Sequence, residues 1–209
     1  MKTVREAYLW ASSFLKERNV GEPERSTEIL LQHVLGVSRA RMLAMWSDPA
    51  GADALERLHG LVMRRAAGEP VQYIVGETYF CGLRFAVDAN VLIPRPETEI
   101  LVERVLSLGD ELWGRAGTPR VADLGTGSGA IAVALAAARP AWRLAASDIS
   151  GGALAVAARN AEAHGVAERI AFLEGDWLAP VAAAFGADGV DAVVANPPYV
   201  PTAECGRLQ

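Results

Sequence analysis

Asn196-Pro197-Pro198-Tyr199 closes the apolar run Val190-Asp191-Ala192-Val193-Val194-Ala195 and places two hydrogen-bond acceptors side by side with no acid between them. The Asn196 side-chain oxygen and the Pro197 main-chain oxygen suit the grip of an NH₂ group by both of its protons. Pro197 fixes its own φ and biases Asn196 away from helix, so the acceptors stand on a stiff frame. Tyr199 adds a flat face for packing against a planar group. The same four residues also describe a strand running into a proline-rich turn, where prolines are well tolerated.

A second cluster is Asp123-Leu124-Gly125-Thr126-Gly127-Ser128-Gly129. Its three glycines let the main chain turn sharply and admit a ligand against it. With Ala130 they also satisfy Gly-x-Gly-x-x-Ala, so the glycines alone indicate a nucleotide-like ligand and leave a nicotinamide enzyme and a methyl-transfer enzyme both open. Asp148 lies about 20 positions beyond Gly125, where a carboxylate can accept from ribose hydroxyls; its other use is to cap the next helix. Glu174-Gly175-Asp176-Trp177 ends a further strand-like run. There Trp177 can stack on an adenine or pack at a core edge, and Asp176 can accept from the adenine amino group.

These clusters need a sheet whose strand ends point one way. Strand-like runs at 120–124, 142–147, 169–173 and 190–195 alternate with helix-like runs at 130–138 and 152–164. That alternation predicts a parallel, doubly wound α/β sheet with ligands at its carboxyl edge. Ahead of it the chain reads as a helical bundle. Thr3-Val4-Arg5-Glu6 fits a capping box, and Val4, Ala7, Tyr8, Ala11, Phe14 and Leu15 recur at helical spacing. Pro23 can open a second helix, containing Ile29, Leu30, Val34 and Leu35, that Gly36 ends. Ser38 and Asp53 can start two more helices. From Val71 the pattern turns β-rich: Gln72-Tyr73-Ile74-Val75, then Glu77-Thr78-Tyr79-Phe80 and Leu83-Arg84-Phe85-Ala86-Val87 about Cys81-Gly82, which predicts a hairpin. Pro96 can start a helix with Glu97 and Glu99 in its first turn.

With 209 residues, 51% of them hydrophobic, the chain can bury a mid-sized core and a smaller one. No apolar run approaches the ~20 residues of a membrane span, and Met1-Lys2-Thr3-Val4-Arg5-Glu6 lacks a signal segment, so a cytoplasmic location is expected. Cys81 and Cys205 read as free thiols, and His33, His59 and His164 are too scattered for a metal site. The net charge of −5 argues against stable nucleic-acid binding. Residues 1–72 carry 10 basic and 9 acidic side chains against 10 and 16 in residues 73–209, so the helical part is the less acidic.

Gln72-Tyr73-Ile74 with Gly76, Phe80-x-Gly82, Leu92-Ile93-Pro94-Arg95-Pro96-Glu97-Thr98-Glu99, the glycine cluster and Asn196-Pro197-Pro198-Tyr199 together resemble the class I S-adenosylmethionine-dependent methyltransferases. Within them the chain is most similar to the HemK/PrmC family of protein-glutamine methyltransferases. The resemblance implies an α/β fold, a Rossmann-like doubly wound sheet with an N-terminal helical bundle and a β-hairpin linker. It divides the chain into a helical substrate-docking domain at 1–72, a hairpin at 73–94 and a methyltransferase domain at 95–209. Folds of this kind add a helix and strands beyond the Asn-Pro-Pro-Tyr loop, so a sheet truncated at its C-terminal end is expected of a chain ending at Gln209.

By the same resemblance Gly125, Thr126, Gly127, Ser128 and Gly129 contact the methionine part of S-adenosylmethionine, Asp148 its ribose and Trp177 its adenine region, with Asn196 also bordering the cofactor. Asn196, Pro197, Pro198 and Tyr199 form the substrate site, and Asn196, Pro197 and Tyr199 the catalytic set. Arg95, Glu97 and Glu99 either line the cleft or stabilise the domain junction. Family members methylate the glutamine of the Gly-Gly-Gln motif in peptide chain release factors. A ribosomal-protein glutamine, an adenine amino group in DNA or RNA, and a noncatalytic nucleotide-binding adaptor are the competing readings.

Overall fold

The computed structural model describes residues 2–186 and 189–197. They divide between two compact units, one ending at Gly76 and one beginning at Glu77.

The first unit is a bundle of α1 (Val4–Glu17), α2 (Pro23–Leu35), α3 (Arg39–Ala44), α4 (Ala52–Ala66) and α5 (Val71–Val75). α1 begins with the expected capping box: the Thr3 hydroxyl accepts from the Glu6 main chain, and the Glu6 carboxylate accepts the Thr3 N–H at 2.8 Å. Val4, Ala7, Ala11 and Leu15 are buried with Leu30, Leu31, Met42, Leu58 and Val62, while Tyr8 and Phe14 of the same stripe are only partly covered. α2 opens on Pro23 and stops at Gly36, whose φ of +65° suits glycine.

One expectation fails here. Residues 72–75 read as extended because Tyr, Ile and Val favour strands, yet Val71–Val75 forms a helical turn after Pro70. Val71 and Ile74, three apart and therefore on one helical face, are both buried in the bundle core. Burial overrides a preference worth under ~1 kcal/mol.

The second unit opens with the predicted hairpin, β1 (Glu77–Phe80) and β2 (Leu83–Ala86), with Phe80 opposite Leu83. Its two-residue turn has φ of +49° at Cys81 and +73° at Gly82, a primed turn whose twist matches the strands. Then follow α6 (Pro96–Trp113), β3 (Arg120–Leu124), α7 (Ala130–Ala138), β4 (Arg143–Asp148), α8 (Gly151–Ala163), β5 (Ile170–Glu174), α9 (Ala179–Phe185) and β6 (Ala192–Ala195). The second and third strands of this sheet begin one residue later than the sequence suggests and the fourth two, and α9 was not anticipated. The four strands are all parallel in the order β5-β4-β3-β6. The chain moves outward from β3 to β5 and then returns to the far side of β3, and that reversal opens a crevice beyond the carboxyl ends of the strands.

α7, Ala-Ile-Ala-Val-Ala-Leu-Ala-Ala-Ala, is apolar all round and buried from Ala130 to Ala136, as a helix enclosed by core must be. Arg139 at its end makes a bidentate pair with Asp110 of α6 at 2.9 and 2.7 Å.

Two buried polar side chains brace the turn that follows β3. Asn160 of α8 is 1% exposed; its Oδ1 accepts the Ala86 N–H at 2.7 Å and its Nδ2 donates to Ala86 O and Ser128 O at 3.0 and 2.9 Å. One amide thereby ties the hairpin to the glycine turn. Asp123, fully buried at the end of β3, accepts the Thr126 hydroxyl at 2.6 Å and the Ala132 N–H at 3.2 Å through Oδ2. Among the described residues its Oδ1 meets no donor. Burial pushes its carboxyl up to about 6, against the lowering effect of those two bonds.

Asn160→Ala would leave the partner groups at Ala86 and Ser128 unpaired, so a stability loss of roughly 3 kcal/mol is expected from urea unfolding; a loss within the scatter of surface substitutions would contradict the bridging role. For Asp123 the sign follows from proton counts. The native state keeps its proton up to about pH 6, whereas an unfolded Asp loses it near 4, so across that window the folded form binds more protons and stability falls as pH rises. Relative to Asp123→Asn, the native protein should lose on the order of 3 kcal/mol between about pH 4 and about pH 6 and then level off; parallel profiles for the two proteins would refute it.

Candidate functional site

A cavity of about 480 Å³ lies at the carboxyl edge of the sheet, within the roughly 300–1,000 Å³ of small-molecule sites. Part of its wall is the loop that leaves β3. Gly125 and Gly127 have φ of +67° and +56°, and nothing stands within 4 Å of where a Cβ would project from either. The main chain there is therefore open to the cavity. Gly129 differs, because a Cβ there would lie 2.9 Å from the Cβ of Ala157. α8 keeps it small, and it is not among the cavity's lining residues. Its glycine is thus accounted for by close packing on α8 as well as by its φ of +77°. Thr126 and Ser128 do line the cavity, with the Thr126 hydroxyl committed to Asp123.

Asp148 closes β4 beside this loop. Its Oδ2 accepts the Gly127 N–H at 2.9 Å and its Oδ1 the Ser150 N–H at 3.0 Å. It does not cap α8, since Ser150 does so by accepting from Ala153. A carboxylate offers about four lone-pair directions, so after two bonds it can still accept from ligand hydroxyls.

Asp176 and Trp177 line the same cavity. Trp177 has φ of +45°, a left-handed conformation that costs a bulky residue on the order of 1–3 kcal/mol and collects at functional sites. The hydroxyl of Ser147, fully buried, donates to the Trp177 carbonyl at 3.0 Å and helps hold that conformation. Trp177 is 51% exposed, and Leu92 and Ile149, at 59% and 75%, border the cavity with it. Exposed apolar groups gathered at one opening mark a binding surface. Leu92 stands in the 92–99 segment without a role of its own in the sequence, and Ile149, a single apolar residue after a strand, carries no periodicity. The available signal for Ile149 was its place directly after Asp148 at a strand's carboxyl end.

Asn196 and Pro197 leave β6 and also line this cavity, where the Asn196 Nδ2 donates to the Thr98 hydroxyl at 3.0 Å. Pro198 and Tyr199 lie outside the described residues, as does Cys205. The 93–99 segment divides its work. Arg95 and Thr98 line the cavity and Glu97 does not, while Glu99 accepts the Cys81 N–H at 2.6 Å and braces the hairpin turn. Burial, then Glu99 and Glu103, push the Cys81 thiol up to about 11, which leaves it protonated and inert. His33, His59 and His164 are not among the lining residues, and the described residues contain no His/Cys/Asp/Glu group able to hold a metal ion. An open glycine main chain, a carboxylate with acceptor capacity left, and a half-exposed Trp177 fit a nucleoside-like ligand.

Two family models match the chain, the PrmC N-terminal domain over residues 6–76 and the methyltransferase small domain over residues 98–206. The chain is 44% identical over 198 residues to the release factor glutamine methyltransferase of Chlorobaculum tepidum, covering 94% of this chain and 67% of that protein. With the enzyme of the same name from Bacillus subtilis it shares 42% over 208 residues, 100% of this chain and 70% of the relative. With that from Geobacter sulfurreducens it shares 40% over 207 residues, 99% and 69%. Identity of this extent, running through both the helical unit and the sheet, makes the chain a member of the release factor glutamine methyltransferase family.

Proposed function

We propose that the protein transfers a methyl group from S-adenosylmethionine to the side-chain amide nitrogen of the glutamine in the Gly-Gly-Gln motif of peptide chain release factors. The observation that carries this reading is the meeting of Asn196 and Pro197, two acceptors and no acid, with the glycine loop and Asp148 around one cavity. Gly125, Gly127 and Ser128 would hold the methionine part of the cofactor, Asp148 the ribose hydroxyls, and Trp177 with Ile149 the adenine, whose amino group Asp176 can accept. When bound, the sulfonium supplies an activated methyl group.

The protein's own task is then position. An amide nitrogen is a poor nucleophile because its lone pair is delocalised. The Asn196 Oδ1 and the Pro197 carbonyl can each take one N–H of the substrate amide and aim its nitrogen for in-line attack. As positive charge develops on that nitrogen both bonds strengthen, so the pair binds the transition state better than the ground state. No general base is needed before transfer. The extra proton leaves afterwards to water or along the same oxygens.

We also propose that the helical unit docks the protein substrate, which its less acidic balance permits. The setting that goes with a release-factor substrate is the cytoplasm, and no described helix is long and apolar enough to cross a membrane.

Incubation of labelled cofactor with a release factor, a ribosomal protein and an adenine-containing nucleic acid should place label on the Gly-Gly-Gln glutamine alone; label elsewhere would redirect the assignment. Asn196→Ala should lower single-turnover transfer by about 10²-fold while calorimetric cofactor affinity changes little; unchanged turnover would sink the acceptor role. Charge placed at the exposed Leu9 of α1, as Leu9→Glu, should raise KM for the release factor severalfold and spare cofactor affinity if that face docks substrate, and an unaltered KM would remove this face from the docking surface.

A further inference from the structure

An asparagine amide has two nearly isosteric faces, an oxygen that accepts and an NH₂ that donates, exchanged by a half-turn about its last bond. Only the oxygen face can hold a substrate N–H; the other would set donor against donor. Something has to choose between them. In this protein the Asn196 Nδ2 donates to the Thr98 Oγ1 at 3.0 Å, and both residues border the cavity. Thr98 is well placed to fix an orientation. It sits in the first turn of α6, between Pro96 at the helix start and Glu99, whose carboxylate accepts the Cys81 N–H at 2.6 Å. Its own N–H donates to Arg95 O at 3.0 Å. A proline with fixed φ on one side and a charge-assisted bond to the hairpin on the other leave the Thr98 hydroxyl little freedom to drift.

We infer that Thr98 is a positioning residue, whose hydroxyl turns the Asn196 NH₂ toward α6 and so leaves Oδ1 for the substrate amide. This rests on the glutamine reading of Asn196 given above. The pairing also assigns a task within the 93–99 segment: Thr98 sets the acceptor, and Glu99 secures the turn of helix that carries Thr98.

Thr98→Val keeps the shape and removes the acceptor, and Thr98→Ser keeps the hydroxyl. With a release factor as substrate, Thr98→Val should lower kcat about 10-fold, the scale of one lost hydrogen bond. KM and cofactor affinity should stay within about threefold, because neither ligand touches Nδ2 in this scheme. Thr98→Ser should restore most of kcat, and Thr98→Val added to Asn196→Ala should lower it no further, as expected of a group acting through Asn196. Wild-type kcat in Thr98→Val, an equal loss in Thr98→Ser, or a further loss on top of Asn196→Ala would each overturn the inference while leaving the glutamine reading standing. Absence of glutamine methylation by the unmodified protein would overturn that reading and this inference with it.

Discussion

The passage from β3 into α7 is the constraint on which the rest of the site depends. The chain must leave the centre of a parallel sheet, expose its own main chain to a ligand and enter a helix within a few residues, and main-chain groups so exposed need bracing from elsewhere. Three side chains supply it. Asp123 holds Thr126 and Ala132 from inside, Asp148 holds the Gly127 N–H from β4, and Asn160 holds the Ser128 carbonyl from α8. The glycines provide the conformations, and the polar braces select one of the many shapes those glycines allow.

The same braces connect the loop to distant elements. Asn160 also bonds both main-chain groups of Ala86, so the hairpin and the glycine loop share one anchor. Glu99 joins that hairpin to the start of α6, and Thr98 joins α6 to the end of β6. The acceptor at Asn196 and the loop at Gly127 are therefore linked through a continuous series of hydrogen bonds and short chain segments rather than only through the sheet. This is the arrangement expected where two ligands must be held in a fixed mutual geometry.

The cavity lining is mixed in character. Gly127 and Asp148 bring main-chain and carboxylate groups to its lining, and Leu92, Ile149 and Trp177 bring exposed apolar surface. Trp177 is held in a left-handed conformation with its carbonyl on Ser147, a local cost tolerated because the surrounding β4 and β5 ends are fixed. Strained backbone and exposed apolar area together are features that collect at binding sites.

Much of this was readable in the chain. The alternation of strand and helix, the capping box at Thr3, the hairpin about Cys81-Gly82 and the clustering of Gly125, Asp148 and Asn196 at strand ends all follow from local chemistry, because turn conformations, capping and periodicity depend on neighbours a few positions apart. The helical turn at 71–75 was misread for a related reason: its stability comes from burying Val71 and Ile74 in the bundle, which local preference does not register. Only the tertiary structure decided that Gly129 packs on Ala157, that Ser150 rather than Asp148 caps α8, and that Asn160 and Thr98 brace the site across 74 and 98 positions of sequence. Those partnerships are set by which elements the sheet order brings together, and a residue's type and spacing carry no record of a neighbour supplied from so far along the chain.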